Sequence, residues 1–268
     1  MKIKLHSQYN HFPNYHTEDD NFDLELWNDG KIYEYLNKWT PNSRGSALLI
    51  EPRSIQPATY SLVEDNYRKF DNIFTHDSQL LAYLPNAYRI IYWRDYELND
   101  EPKTKDISFI CGSKEMCFQH KMRMEFATVL DNLPKVDVLG DWRGRPRVST
   151  HDSHAPYRFA LIMENYYDDS WLTEKVLNAF ANKTVPIYLG GRMAERCFDR
   201  KGILRLDNLW DFLEWYNTFE DSLEDIYKSL TPSIERNYKL VQKYDNFEDW
   251  FIQNYGEKYE VINNNSLL

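Results

Sequence analysis

The sequence predicts an α/β protein built from two Rossmann-like domains, and three observations point there. Apolar runs of strand length alternate with helically spaced segments along most of the chain. That alternation is interrupted near residue 100 by Asn99 to Asp106 (NDEPKTKD), which is polar, charged and broken by Pro102, the composition of a linker. Finally, Phe159 to Gly191 spells a complete strand, loop, helix and strand. A chain of 268 residues can hold two cores of ordinary size. Alternation alone is equally compatible with one large doubly wound sheet. With the linker as boundary, the domains are residues 1–100 and 107–232, followed by a C-terminal helix and tail over 233–268.

In the first half, Lys2 to His6, Ala47 to Ile50, Asn72 to His76 and Arg89 to Trp93 read as strands, with helices over Tyr60 to Phe70 and Ser78 to Tyr83. The second half restarts with a strand over Ile107 to Cys111 and a helix over Glu115 to Leu133. In that helix Met122, Phe126, Val129, Leu130 and Leu133 keep helical spacing. A strand over Val136 to Gly140 (VDVLG) follows, then a loop, Asp141 to Ser153, rich in Arg and Gly. After Asn208 the pattern turns helical, over Leu209 to Phe219, Leu223 to Leu230 and Ser233 to Tyr255. The last segment carries Tyr238, Val241, Tyr244, Phe247, Trp250 and Phe251 as one packed face, and Asn263 to Leu268 reads as a frayed tail.

The segment Phe159 to Gly191 is the most informative. Phe159 to Met163 is a short buried-strand run that ends abruptly at Glu164 and Asn165. In the polar loop that follows, Asp168, Asp169 or Ser170 can cap a helix whose Leu172, Val176, Ala179 and Phe180 fall on one face. Thr184 to Leu189 then reads as a second strand despite Pro186, before the Gly190-Gly191 turn. A crossover of this length makes the two strands parallel, so Asn165 and the helix start both belong to the carboxyl edge of the sheet, where α/β folds bind ligands. Glu174 lies opposite the core face and Lys175 on its flank, both where unpaired N–H groups favour an anion such as phosphate. A solvated ion pair on a surface helix explains the same two residues equally well.

Charge and composition narrow the partners. The net charge of -10 and a pI near 5.2 argue against nucleic acid or an anionic membrane as the main partner. Aromatic residues make up 16 %, which suits a well-filled core with amphipathic rims as well as sugar stacking. No apolar run approaches the roughly 20 residues of a membrane span, so the chain is expected to have no integral membrane segment and to be cytoplasmic. Three cysteines, Cys111, Cys117 and Cys197, without paired spacing, read as free thiols.

Read in order, MEN at Met163 to Asn165, WLTEK at Trp171 to Lys175 and VPIYLG at Val185 to Gly190 resemble the nucleotide-sugar motif of the α-1,3-fucosyltransferases, glycosyltransferase family ten, whose members typically read FEN, YxTEK and VPIYxG. The resemblance covers roughly thirty residues. It implies the two-lobed GT-B plan, with two Rossmann-like domains facing a cleft, and a soluble bacterial or viral type, since animal members carry a membrane anchor and stem. It also implies GDP-fucose as donor, an oligosaccharide or glycolipid hydroxyl as acceptor, inversion at the anomeric carbon and no required cofactor, with Mn²⁺ or Mg²⁺ stimulation left open.

Site residues carry over by position. Lys175 and Arg123, the latter in register before VDVLG, would hold the diphosphate; Glu174 would bind the ribose, and Asn165 would lie near sugar and phosphate. Two more residues are implied at the nucleotide-sugar site: Trp171 stands where the family more often has Tyr, and either ring can stack, while Ser113 lies about two residues off the family's serine-asparagine turn. Glu51, after the Ala47 to Ile50 strand, matches the family's proposed catalytic glutamate by place, although Pro52 replaces the following Asn and Pro57 comes two positions late. An ion pair of Glu51 with Arg53 or Arg94 is the structural alternative. Two readings compete with the main one: a GT-B transferase using another nucleotide sugar in surface-polysaccharide synthesis, and a non-catalytic nucleotide- or glycan-binding protein. Asp168-Asp169 and His151-Asp152-Ser153-His154 have metal-like residue types, but helix capping and ordinary surface or packing roles are expected for them, as for Cys117 and His120.

Overall fold

A computed structural model describes residues 2–7, 22–94 and 97–255. Its contacts divide the chain into one unit of residues 1–91 with 246–268, and a second of residues 92–245.

The first unit contains β1 (Ile3–His6), β2 (Leu24–Asn28), α1 (Ile32–Lys38), β3 (Ser46–Leu49), α2 (Pro57–Asn66), β4 (Ile73–Thr75), α3 (Ser78–Tyr83) and β5 (Ala87–Arg89). Its five strands are all parallel and lie in chain order, β1-β2-β3-β4-β5. Right-handed crossovers between strands laid down in order put every connecting helix on one face. Accordingly Ile32 and Tyr35 of α1, Tyr60 and Val63 of α2 and Leu80 of α3 share one core with Trp27, Ala47, Leu49 and Ile73. The other face needs separate cover. A helix over 247–255 supplies it, with Phe251 and Tyr255 edge-on to Phe74 at 4.8 and 5.3 Å and Tyr255 edge-on to Tyr88.

The second unit contains β6 (Lys105–Ile110), α4 (Phe118–Leu130), β7 (Val136–Leu139), α5 (Thr150–His154), β8 (Tyr157–Met163), α6 (Glu174–Ala181), β9 (Val185–Leu189), α7 (Met193–Cys197), β10 (Leu204–Arg205), α8 (Leu209–Phe219), α9 (Leu223–Ser229) and α10 (Thr231–Val241). This sheet is also parallel, but its order is β10-β9-β8-β6-β7. The chain runs outward from β6 to β7 and then returns to the far side of β6 as β8, which makes a switch point between β6 and β8. The alternating residues Ile107, Phe109, Phe159, Leu161, Val185 and Ile187 pack with α4, α8, α9 and α10. The opposite side of the sheet meets α5 and α6. Pro186 is tolerated because β10 pairs only from Ile187 onward.

Several boundaries differ from those expected. The division falls at Tyr92 instead of residue 100, because Arg94 donates its N–H to Tyr244 O and Asn99 its N–H to Ala181 O. Residues 246–255 group with the first sheet through the aromatic contacts above, and the continuous helix expected over Ser233 to Tyr255 is broken after Tyr244, where Asn246 Oδ1 caps a new helix by accepting from Asp249 N (2.8 Å). The strand expected at Arg89 to Trp93 lies earlier, at Ala87–Arg89. β2, α1, α5, α7 and β10 carried no strong periodicity and were not expected. The tail Asn263 to Leu268 lies outside the described residues.

Candidate active site

The carboxyl ends of β6 and β8 open onto a pocket of about 220 Å³, lined in part by Ile110, Arg123, Met163, Glu174, Lys175 and Asn178. α6 begins later than the sequence suggested. Its cap is Thr173, which accepts from Lys175 N through Oγ1, whereas Asp168 closes a preceding turn by accepting from Ser170 N (2.7 Å) and Asp169 accepts from Arg192 N. Gly191 explains the tight return of the chain, since a Cβ there would stand 1.9 Å from Asp168 O.

Glu164 organises this corner. It is 2 % exposed, accepts from the Thr173 hydroxyl at 2.8 Å and from Tyr188 OH at 3.4 Å, and lies 3.6 Å from Lys175 Nζ. Lys175 Nζ also reaches Glu174 Oε1 (2.9 Å) and Thr173 Oγ1 (3.2 Å). Burial would lower the Lys175 pKa, but the charges of Glu174 and Glu164 outweigh it and hold the ammonium above the usual lysine value. The site therefore presents a permanent cation beside two carboxylates.

Arg123 comes from α4 and donates from Nη2 to Met163 O at 2.5 Å, which fixes the guanidinium across the end of β8. Burial pulls its pKa below the usual arginine value against the opposing charge of Glu164. Arg123 and Ile110 also line a neighbouring pocket of about 320 Å³ with Lys114, His120, Asp141 and Arg147. Burial, reinforced by the charges of Arg123, Lys114 and Lys175, pulls His120 down to about 4, so at neutral pH its Nδ1 accepts from Met116 N at 3.2 Å. Gly140 shapes the floor: its φ is +97°, and a Cβ would lie 2.4 Å from Cys111 O. In a chain of net charge -10, this concentration of Lys and Arg around two adjoining pockets suits an anion with more than one phosphate.

The structure thus brings Arg123, Glu174 and Lys175 onto one pocket. Asn165 sits half-buried in the loop after β8, where its carbonyl accepts from the Cys117 thiol at 3.5 Å. Ser113 is exposed and donates its N–H to Asp141 Oδ1 at 2.7 Å. Trp171 departs from expectation: it is 1 % exposed and edge-on to Tyr166 and Tyr92, so it anchors the loop and offers no open ring face for stacking.

Glu51 belongs to the first unit, at the carboxyl end of β3. Tyr60 OH donates to its carbonyl at 3.0 Å, and its N–H donates to Asp29 Oδ2 at 3.3 Å. The two arginines considered as its partners are engaged elsewhere, Arg53 with Asp77 (2.9 Å) and Glu64 (2.8 Å), and Arg94 with Asp245. His151 pairs with Glu101 at 3.0 Å, and His154 is buried with its Nδ1 against Ser153 and Thr150. Among the described residues no group of three or more His, Cys, Asp or Glu is placed to hold a metal ion, and all three cysteines are free.

Sequence reasoning gave no role to Glu164, Asn178, Asp141 or Asp29. Asn178 stands one helical turn beyond Glu174, and Asp141 directly follows VDVLG, so spacing could have found both. Glu164 and Asp29 become visible only through their burial.

Solved structures share the architecture, which is that of the GT-B fold. TarM superposes with a TM-score of 0.58 at 10 % identity, over 88 % of this chain and 54 % of that one. The GtfA/B complex gives 0.53 at 13 % identity, over 88 % and 57 %. Residues 101–223 match the family model described as glycosyltransferase family 10 (fucosyltransferase) C-term. A putative fucosyltransferase R654 of Acanthamoeba polyphaga mimivirus is 23 % identical over 182 residues, 60 % of this chain; the chain spans 29 % of that relative's length. Among the described residues no helix is long and apolar enough to cross a membrane.

Proposed function

We propose that the protein is an inverting glycosyltransferase that moves fucose from GDP-fucose to a hydroxyl of an oligosaccharide or glycolipid acceptor, working in the cytoplasm. What carries this reading is the meeting of Arg123, Glu174 and Lys175 on one pocket, inside the segment that matches the family 10 domain. The name of the mimivirus relative supports fucosyl transfer over other sugars.

In this mechanism Glu174 accepts hydrogen bonds from the ribose, and Arg123 and Lys175 hold the diphosphate, with Asn165 and Ser113 at its edges. Glu51 takes the proton from the acceptor hydroxyl as that oxygen forms a bond to the anomeric carbon. The bond from that carbon to the phosphate oxygen breaks on the opposite face, and its electron pair leaves with GDP. Arg123 and Lys175 stabilise the charge that develops there, which removes any need for a metal at the leaving group. Trp171 contributes by anchoring the loop that leads into α6.

The protein is tested first by thermal stabilisation with GDP and with UDP, then by a donor panel read out as released nucleotide. Stabilisation by GDP and turnover of GDP-fucose are expected. Turnover of a UDP-sugar without GDP-fucose would instead assign the same site to another nucleotide sugar.

A further inference from the structure

At the carboxyl edge of the first sheet, Asp29 combines three unusual properties. It is fully buried, at 0 % exposure; it has φ +44°, in the left-handed region; and both of its carboxylate oxygens are spent on the chain that leads into Glu51. Oδ1 accepts from Ile50 N at 3.0 Å and Oδ2 from Glu51 N at 3.3 Å. Asn28 Nδ2 donates to Oδ2 at 2.9 Å and to Leu48 O at 3.1 Å, while Asn28 Oδ1 accepts from the Ser7 hydroxyl at 2.9 Å. A polar brace thus runs across the ends of β1, β2 and β3. A buried carboxylate in a strained backbone costs stability, and strain of this kind persists where surrounding structure enforces it, commonly beside reacting groups.

We propose that Asp29 is the positioning residue for the Glu51 carboxylate: it fixes the Glu51 peptide from the amide side while Tyr60 fixes it from the carbonyl side, so that the side chain leaves the strand end in one direction. This rests on the reading of Glu51 as the base. Asp29 itself has no exposed surface and does not touch substrate.

Burial pushes the Asp29 carboxyl up to about 7; the N–H bonds from Ile50 and Glu51 oppose that shift, the charge of Glu51 adds to it, and the Asn28 amide opposes it weakly. Tyr60, from α2, is the remaining titratable group that faces it and stays neutral, because burial raises its phenol well above the usual value. The ionised form accepts two backbone bonds, whereas the protonated form gives one oxygen over to a hydroxyl. The brace therefore tightens as pH rises through about 7.

Asp29→Asn keeps the size and tolerates the left-handed backbone but turns an NH₂ toward one of the two N–H groups. The expected result is a kcat for GDP-fucose turnover lower by about 10- to 100-fold, with the donor KM and GDP affinity within about twofold of the parent. The rise of kcat through pH 7 is lost, and hydrogen exchange at the Ile50 and Glu51 amides is faster. Tyr60→Phe shifts the same readings in the same direction by less, and carries the test if Asp29→Asn does not fold. Glu51→Gln separates the two ideas. If Glu51→Gln abolishes turnover while Asp29→Asn keeps the parent kcat, pH profile and amide exchange, the positioning role is overturned and the base reading stands. If Glu51→Gln turns over as the parent does, the base reading falls, and unchanged amide exchange in Asp29→Asn would remove the brace independently.

Discussion

The two sheets are built from the same parts and differ in how the chain lays them down. The first places five parallel strands in chain order, has no switch point and leaves one face to be covered by residues from the far end of the chain. The second reverses direction after β7, and its pocket, with Arg123, Glu174 and Lys175, opens where strand ends diverge. A switch point gives a ligand a crevice at no cost to packing. The first unit, lacking one, offers the carboxyl ends of adjacent strands and the braced turn at Glu51. The comparison teaches a division of labour in the proposed mechanism: the proposed phosphate site belongs to the sheet with the switch, and the proposed base to the sheet without it.

The strongest break of that division would come from Glu51→Gln. A general base contributes about 10²- to 10⁴-fold, so turnover should fall by that order while GDP affinity, measured by calorimetry, stays unchanged. Loss of GDP affinity would show that the two functions are not divided.

Phe251→Ala tests the cover of the first sheet. Phe251 is fully buried and packs edge-on to Phe74, so truncation should destabilise that unit by about 3–5 kcal/mol. In chemical denaturation the transition that moves should be the one GDP does not shift. If the GDP-sensitive transition moves instead, residues 247–255 support the second unit.

Lys175→Ala sharpens the other half. Loss of a charge-assisted contact is worth about 1.5–3 kcal/mol, or roughly 10- to 100-fold in GDP affinity. It also strands the buried Glu164 beside Glu174, and the second unit should lose stability. Adding Glu164→Gln, which keeps an acceptor for Thr173, should restore that stability without restoring GDP affinity. Recovery of both would make Lys175 a structural cation.

Legibility followed the same division. The βαβ unit from Phe159 to Leu189 was readable because its strand runs are continuous, its helix has one apolar face and its polar residues cluster at one edge; only the cap was misplaced, since three candidate caps precede Thr173. In the first unit β2 and α1 escaped, because LELWN interleaves a charge with apolar residues and α1 is short. The position of Trp171 in WLTEK suggests a ring beside the nucleotide sugar, and nothing in local sequence announces that a loop tryptophan will be buried. Glu51 was legible as a strand-end carboxylate, but the Asp29 brace joins strands more than twenty positions apart and leaves no periodic trace.

The last contrast is in proton binding. Among the described residues, each unit has one group that desolvation moves to about 7: Asp29, raised from the ordinary carboxyl value, and the half-buried Lys103, lowered from the ordinary ammonium value. Lys103 sits at the amino edge of the second sheet, donating to Ala155 O (2.7 Å), Asn182 O (2.5 Å) and Thr184 Oγ1 (3.1 Å). For Asp29 the folded state holds the proton more tightly than the unfolded state between about pH 4 and 7, so its contribution to stability is full below that window and is lost as pH rises through it. For Lys103 the unfolded state holds the proton more tightly between about pH 7 and 10.5, so its contribution is present above that window and is lost as pH falls through it. Each slope is at most about 1.4 kcal/mol per pH unit. Against Asp29→Asn, the parent's first unit should lose relative stability from pH 5 to 7; against Lys103→Met, the parent's second unit should gain relative stability from pH 7 to 9. Denaturation series at fixed ionic strength read both. Slopes of the same sign would show that one of the two groups is paired in the folded state with a charge that cancels its burial.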